Sequence, residues 1–134
     1  MKQRILIVDD EEGIREVVAF ILERHGFLVG KVESGKHLYQ RLAVQLPDLI
    51  ILDVMMPGED GYKICRTLQR DPVTRHIPVM MITAHAEDIY KRISDDLGVA
   101  KHITKPFHPM VLVECVRAIL GEAEDNSQNH PPTA

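Results

Sequence analysis

The chain has 134 residues, 45% of them hydrophobic and 27% charged, which suits a single globular domain with one compact core. Its net charge of −4 argues against a nucleic-acid-binding surface, and no apolar run approaches the roughly 18–20 residues of a membrane span. The short apolar stretch near the N-terminus runs at once into acid and is unlike a signal peptide. Cys65 and Cys115 lack metal-type spacing, so we expect both to be reduced and buried in a cytoplasmic protein.

Apolar runs of strand length alternate with amphipathic helical patterns along the chain. In chain order, strands are predicted at 5–8, 27–32, 48–53, 77–83 and 99–104. The helices that follow them are predicted at about 14–25, 34–46, 61–70, 87–97 and 107–120. Ser34 is a candidate helix cap, and Gly26, Gly98 and Gly121 each stand where a helix is expected to end.

These elements form five βα units in succession. Strands that are apolar on both faces, each followed by an amphipathic helix, indicate an α/β fold with a parallel sheet covered by helices on both faces. Right-handed crossovers leave few topologies for such a sheet. Residues 122–134 have almost nothing to bury, so we expect a domain at 1–121 followed by a disordered tail or linker remnant.

Polar residues with useful chemistry occur where the predicted strands end. Asp9 and Asp10 follow the first strand, Asp53 ends the third, Thr83 ends the fourth, and Lys105 follows the fifth. In an open α/β sheet the ligand crevice lies outside the carboxyl ends of the strands. The five side chains are therefore expected to share one pocket.

The composition of this pocket predicts phosphate chemistry assisted by a metal. Two carboxylates about 5 Å apart repel by roughly 3 kcal/mol at an effective dielectric near 20, so the acids need a cation. Mg²⁺ prefers carboxylate, water and phosphate oxygens, and a lysine is a point charge suited to phosphate. A carboxylate such as Asp53 can itself be the nucleophile and form an acyl phosphate. Glu11 and Glu12 are interpreted as acids that complement the N-terminus of the first helix.

Four segments of the sequence resemble the response-regulator receiver domain of two-component signalling, which has the CheY-like fold. They are ILIVDDE at the first strand, LIILDVMMPGEDGY at the third, IPVMMITA at the fourth and KHITKPF at the fifth. The resemblance covers residues 3–121. It implies a flavodoxin-like (βα)5 sheet with strand order 2-1-3-4-5.

The resemblance also implies a role for each pocket residue. Asp53 matches the phosphoacceptor. Asp9 and Asp10, with Asp53 and the backbone carbonyl of Met55, match the ligands of Mg²⁺ or Mn²⁺. Lys105 matches the lysine that pairs with the phosphate.

Other positions match the family's switching apparatus. Thr83 matches the hydroxyl that moves toward the phosphoryl group, and the Lys105–Pro106 bond matches a cis-proline. His102 stands where the family usually has a tyrosine or phenylalanine switch residue; since histidine can charge near neutral pH, switching here is hypothesised to depend on pH. His85 is a candidate for tuning the access of water to the acyl phosphate.

The implied function is a phosphoprotein of two-component signalling. The phosphoryl donor would be a phosphohistidine on a sensor histidine kinase or a histidine phosphotransfer protein. The output face would lie around the fourth helix, fifth strand and fifth helix, and would serve a downstream protein, a lost output domain or a homodimer. The domain would modify itself and slowly hydrolyse its phosphoryl group, so it is not expected to be a turnover enzyme, and it is not expected to contact nucleic acid or membrane.

Three alternatives come from other classes of protein. An aspartyl phosphatase acting on outside substrates would need a second acid two residues after Asp53, where this chain has Met55. A flavodoxin-like cofactor binder would need a phosphate-binding loop after the first strand, where the acidic segment DDEEG would repel phosphate. A receiver fold used as a phosphorylation-independent docking module is disfavoured by the intact acids and lysine, although His102 leaves it open.

Overall fold

The structure is a computed structural model that describes residues 2–84 and 98–121. Its main sheet has five parallel strands, β1 to β5, in the order β2-β1-β3-β4-β5. The predicted fold class and strand order are therefore confirmed. The strands are β1 Arg4–Val8, β2 Leu28–Val32, β3 Leu49–Asp53, β4 Val79–Thr83 and β5 Lys101–Thr104.

The described helices also follow the predicted pattern. They are α1 Glu12–Arg24, α2 Gly35–Val44, α3 Gly61–Arg70 and the C-terminal helix Pro109–Ile119. The helix predicted at 87–97 and the tail at 122–134 lie outside the described residues. One element was not predicted: Met55–Met56 and Glu59–Asp60 pair as a short antiparallel hairpin, called the β3–α3 hairpin below.

The sheet is buried on both faces because its strands are apolar throughout. Even-numbered side chains of β1 and β3, such as Leu6 and Ile50, pack in one core with α2 and α3. Odd-numbered side chains, such as Ile5 and Ile51, pack in a second core with α1 and the C-terminal helix. The helices on both sides exclude water from the sheet, so its accessible part is the edge at the strand ends.

Local signals fix several helix ends. The Ser34 hydroxyl accepts a hydrogen bond from the His37 amide at 3.2 Å and caps α2, as predicted. Gly26 follows α1 with a φ of 93°, a left-handed conformation that glycine adopts without a steric penalty. At the C-terminal helix, His108 supplies the cap that the sequence analysis did not identify, since its Nδ1 accepts from the Met110 amide at 3.0 Å.

The cysteine prediction holds in part. Cys65 and Cys115 are both free thiols, but only Cys65 is fully buried, and Cys115 is half-buried on the C-terminal helix. The expectation that both are buried was therefore wrong for Cys115, because a helical position beside the second core is only partly covered. Within residues 2–84 and 98–121, none of the helices is both long and apolar enough to cross a membrane.

Candidate functional site

Parallel pairing brings the ends of the strands to one edge of the sheet. Val8 pairs with Leu52, so Asp9 follows β1 at the level where Asp53 ends β3. Asp53 pairs in turn with Ile82, one residue before Thr83 on β4. The strand register thus brings the ends of β1, β3 and β4 to the same edge of the sheet.

Three carboxylates form a compact cluster at this edge. Asp9, Asp10 and Asp53 each offer an oxygen, and these oxygens all lie within 4.8 Å of one another. Asp9 and Asp53 are only 2% and 4% exposed, whereas Asp10 faces solvent. The cluster thus has a buried wall and an open side through which a ligand can enter.

Lys105 supplies the positive charge of the cluster. Its Nζ lies 3.2 Å from Asp9 Oδ2 and 3.5 Å from Asp53 Oδ2. The Lys105 amide donates to the Thr83 carbonyl oxygen at 2.7 Å, which extends the contact between β4 and β5 up to the site. The Lys105–Pro106 peptide bond is cis, as expected. The lysine, which follows β5, therefore reaches the acids that follow or end β1 and β3.

Burial and like charge work against ionisation of Asp53. Burial, followed by repulsion from Asp9, raises the pKa of the Asp53 carboxyl to about 6, although Lys105 and the Met55 amide act in the opposite direction. Burial lowers the pKa of Lys105, but attraction to Asp53 and Asp9 outweighs it, and the pKa lies above its usual value. One lysine thus offsets only part of the negative charge.

Backbone donors orient the two buried carboxylates. The Met55 amide donates to Asp53 Oδ1 at 3.1 Å, and the Glu11 amide donates to Asp9 Oδ1 at 2.9 Å. The Arg15 guanidinium donates to the Asp9 carbonyl oxygen at 2.7 Å. These bonds hold each acid to the turn that follows its own strand, so the carboxylates are fixed before any ligand binds.

The donor set fits a hard divalent cation. All three clustered ligand atoms are carboxylate oxygens, the type that Mg²⁺ and Mn²⁺ prefer. The pKa of Asp53 is raised first by burial and then by repulsion from Asp9, and a cation would relieve that repulsion. The open side at Asp10 leaves room for water and phosphate oxygens.

The residues predicted to take part in switching or in water access lie in different environments. Thr83 is fully buried at the end of β4. His102 pairs with Met81 across β4 and β5, and it lines a groove of about 420 Å³ with Phe107 and Val111. His85 lies outside the described residues, so its predicted effect on water access stays a prediction.

One member of the site was missed by the sequence analysis. Glu11 stands at the N-cap position of α1, but its side chain makes no capping hydrogen bond. Its carboxylate lies 3.2 Å from Lys105 Nζ instead, so the interpretation of Glu11 as a helix-end acid was incomplete. No local signal could have found this contact, because the partners are 94 residues apart. Glu12 does occupy the first turn of α1, as predicted.

Comparison with known proteins agrees with the geometry. The sequence model of the response regulator receiver domain matches residues 5–117. The phosphate regulon transcriptional regulatory protein PhoB of Escherichia coli K12 is 41% identical over 120 residues, which are 90% of this chain and 52% of PhoB. The chain therefore spans about half the length of this curated relative.

Solved structures show the same fold. The signal receiver domain of a signal transduction histidine kinase from Syntrophus aciditrophicus matches with a TM-score of 0.82 and 36% identity, covering 91% of this chain and 92% of that one. The chemotaxis response regulator CheY4 of Vibrio cholerae matches with a TM-score of 0.83 and 25% identity, covering 90% and 100%. On the sequence match, the fold and the acidic edge of the sheet, the chain belongs to the response regulator receiver domain family, whose members are signalling domains.

Proposed function

We propose that this receiver domain accepts a phosphoryl group on Asp53 from a phosphohistidine, in a reaction that requires Mg²⁺ or Mn²⁺. The observation that carries the proposal is the cluster of carboxylate oxygens within 4.8 Å of one another, with the Lys105 ammonium 3.5 Å from Asp53. In this cluster, Asp9, Asp10, Asp53 and the Met55 carbonyl would hold the cation. A bound divalent cation supplies charge neutralisation for the phosphoryl oxygens.

In the proposed transfer, a carboxylate oxygen of Asp53 attacks the phosphorus of the phosphohistidine. A P–O bond forms as the P–N bond breaks, and the electron pair of that bond leaves with the imidazole of the donor. Lys105 would pair with the incoming phosphoryl oxygens, a role that the contacts of its Nζ with Asp53 and Asp9 support. The Met55 amide, which donates to Asp53 Oδ1, holds the carboxylate for in-line attack by its other oxygen.

Hydrolysis of the acyl phosphate would return the domain to its resting state. Water attacks the phosphorus, the P–O bond to Asp53 breaks, and inorganic phosphate leaves. We do not assign a general acid to the position two residues after Asp53, because Met55 stands there with its side chain about half exposed. The domain therefore acts on itself and is not proposed to be a dedicated phosphatase.

Phosphorylation is proposed to change partner binding through Thr83 and His102. Both residues lie on neighbouring strands next to the site, and His102 borders the groove beside the C-terminal helix. The domain is proposed to act in the cytoplasm. Its proposed partners are a sensor kinase or phosphotransfer protein upstream, and a protein target, an output domain or a second copy downstream. The fourth-helix part of the expected output face lies outside the described residues.

Intact-mass spectrometry tests the proposal directly. Incubation with acetyl phosphate and Mg²⁺ is expected to add one phosphoryl mass to the chain. The adduct is expected to be absent without a divalent cation and absent in Asp53→Ala and Asp53→Asn. A phosphoryl adduct that persists in Asp53→Asn, or forms equally well in EDTA, would contradict the proposal and favour another nucleophile. The absence of any adduct on the wild-type chain would instead favour the phosphorylation-independent docking module.

A further inference from the structure

A hydrogen bond joins the β3–α3 hairpin to the beginning of α2. Glu59 Oε1 accepts from the Gly35 amide at 2.6 Å, and Glu59 is half-buried. Gly35 is the first residue of α2, where backbone amides have no partner within the helix and the helix dipole is positive. The bond therefore satisfies an orphan donor and places a negative charge at the favourable end of the dipole.

The contact is close because Gly35 has no side chain. A Cβ atom there would lie 2.5 Å from Glu59 Oε1 and 3.1 Å from Ile64 Cδ1. The first distance is shorter than real Cβ contacts, so the carboxylate would have to move. Gly35 and Glu59 are thus complementary, although they are 24 positions apart in the sequence.

The other end of the hairpin is bonded to Asp53. Met56 pairs with Glu59 and Met55 with Asp60 across the hairpin. The Met55 amide donates to Asp53 Oδ1 at 3.1 Å. A single short ladder therefore connects the Glu59–Gly35 bond to the residue whose carbonyl is the proposed metal ligand.

The hairpin has little freedom to relax around this connection. The Gly61 amide donates to the Val54 carbonyl oxygen at 3.1 Å and closes the loop at its base. A Cβ atom at Gly61 would lie 2.8 Å from the Asp53 carbonyl oxygen, a backbone atom that cannot swing aside. With its base closed in this way, the hairpin is held at its outer end by the Glu59–Gly35 bond and by Met56, which is buried in the core shared with α2 and α3.

We propose that Glu59 is a positioning residue for the divalent-cation site. By anchoring the hairpin to α2, it fixes Met55 and hence the proposed carbonyl ligand relative to Asp9, Asp10 and Asp53. This inference rests on the proposed function, because it assigns Glu59 an effect on the same cation site. Glu59 itself makes no contact with the three clustered carboxylates among those that the structure gives for the described residues.

Titration with Mg²⁺ followed by two-dimensional NMR tests the proposal. Glu59→Ala removes the anchor and is expected to weaken Mg²⁺ binding by about tenfold, the lower end of the range for residues that orient metal ligands. Glu59→Gln keeps an oxygen acceptor for the Gly35 amide and is expected to recover most of the affinity. The Gly35 amide resonance should shift in Glu59→Ala, because its hydrogen bond is lost.

Gly35→Ala perturbs the same contact from the other side. The added Cβ would force the Glu59 carboxylate to shift, so Mg²⁺ affinity is expected to fall, but by less than in Glu59→Ala, where the bond is lost. Alanine favours a helix over glycine, so thermal stability should not fall in parallel. In the double variant the two effects should not add, since both act on one bond.

Glu33→Gln is the matched control. Glu33 also carries negative charge near the beginning of α2, where it lies 3.9 Å from His37. Among the contacts given for residues 2–84 and 98–121, it has none with the hairpin. Its removal is expected to leave Mg²⁺ affinity unchanged. Equal Mg²⁺ affinities in Glu59→Ala, Gly35→Ala and the wild type would overturn the inference and leave the proposed function standing. A wild-type chain that does not respond to Mg²⁺ at all would instead contradict the proposed function.

Discussion

The central strand β3 contains two opposite environments within five residues. Residues 49–52 are no more than 1% exposed and contact apolar side chains on both faces of the sheet. Asp53, the next residue, is almost as buried at 4% exposed, but it faces Asp9, Asp10 and Lys105. Equal burial therefore has opposite consequences at neighbouring positions of one strand.

The difference separates what stabilises the fold from what supplies its chemistry. Burial of apolar area stabilises the strand interior. Burial of a carboxylate costs free energy unless a partner compensates, and the pKa of Asp53, raised to about 6, indicates that compensation is incomplete. Repulsion among the carboxylates is thus expected to remain at the carboxyl edge until a cation binds there.

The largest predicted effect belongs to the strand interior. Ile50 is fully buried in the core shared with α2 and α3, so Ile50→Ala is expected to lower the free energy of unfolding by about 3–4 kcal/mol. Ile50→Val should cost only about 1 kcal/mol. Urea denaturation measures both. Mg²⁺ affinity measured below the unfolding transition should not change. A marked loss of affinity would show that packing of the strand interior also determines the geometry of the carboxylate cluster.

Asp53→Asn is expected to raise the free energy of unfolding, whereas Ile50→Ala lowers it. The folded carboxyl binds its proton more tightly than the unfolded one, with a pKa of about 6 against 3.8. Stability of the metal-free chain should therefore fall as pH rises from about 4 to about 6. Because a tenfold change in proton affinity is worth about 1.4 kcal/mol, Asp53→Asn should gain up to about 3 kcal/mol at pH 7.5.

The pH dependence provides the control for this prediction. At pH 4 the folded Asp53 is already protonated, so Asp53→Asn and wild type should unfold at nearly the same denaturant concentration in EDTA. A gain of equal size at pH 4 and pH 7.5 would show that the substitution acts through packing and not through charge.

Lys105→Gln removes the main positive charge at the edge. At pH 7.5 it is expected to lower the free energy of unfolding by about 2 kcal/mol, because Asp9 loses a charged donor and Asp53 loses an ion-pair partner. The pKa of Asp53 should rise further, as Lys105 acts to lower it. The loss should be smaller in an Asp53→Asn background, where one of the carboxylate partners is gone. Strictly additive effects would indicate that the two side chains do not interact.

Addition of metal should offset the repulsion among the carboxylates at the edge and so stabilise the chain. At Mg²⁺ ten times above its dissociation constant, the wild-type chain should gain about 1.4 kcal/mol of stability. Asp10→Asn, which removes the solvent-facing carboxylate of the cluster, should gain less at the same concentration. Calorimetry with and without EDTA measures the difference; the same gain in both would place the cation elsewhere.

The predictability of the site from sequence follows the range of the interactions. The sequence could place four residues at the carboxyl edge: Asp9, Asp53, Thr83 and Lys105. Each ends or follows a strand whose apolar pattern is local, and parallel strands bring such ends together. The Glu11 contact with Lys105 and the Glu59 bond to Gly35 were missed. In both cases the residue has an ordinary local explanation, a helix-end acid or a turn acid, which conceals its distant partner.

The sequence by itself determined the alternation of strands and helices, the parallel sheet and the set of polar groups at its carboxyl edge. These properties arise from periodicity and chain order, which are written along the chain. Only the tertiary structure decided how far Asp53 is shifted from its usual pKa, which carboxylates share Lys105, and what anchors the β3–α3 hairpin. Those depend on distances and burial between segments far apart in sequence, because electrostatic energy changes steeply over a few ångströms in a partly buried site.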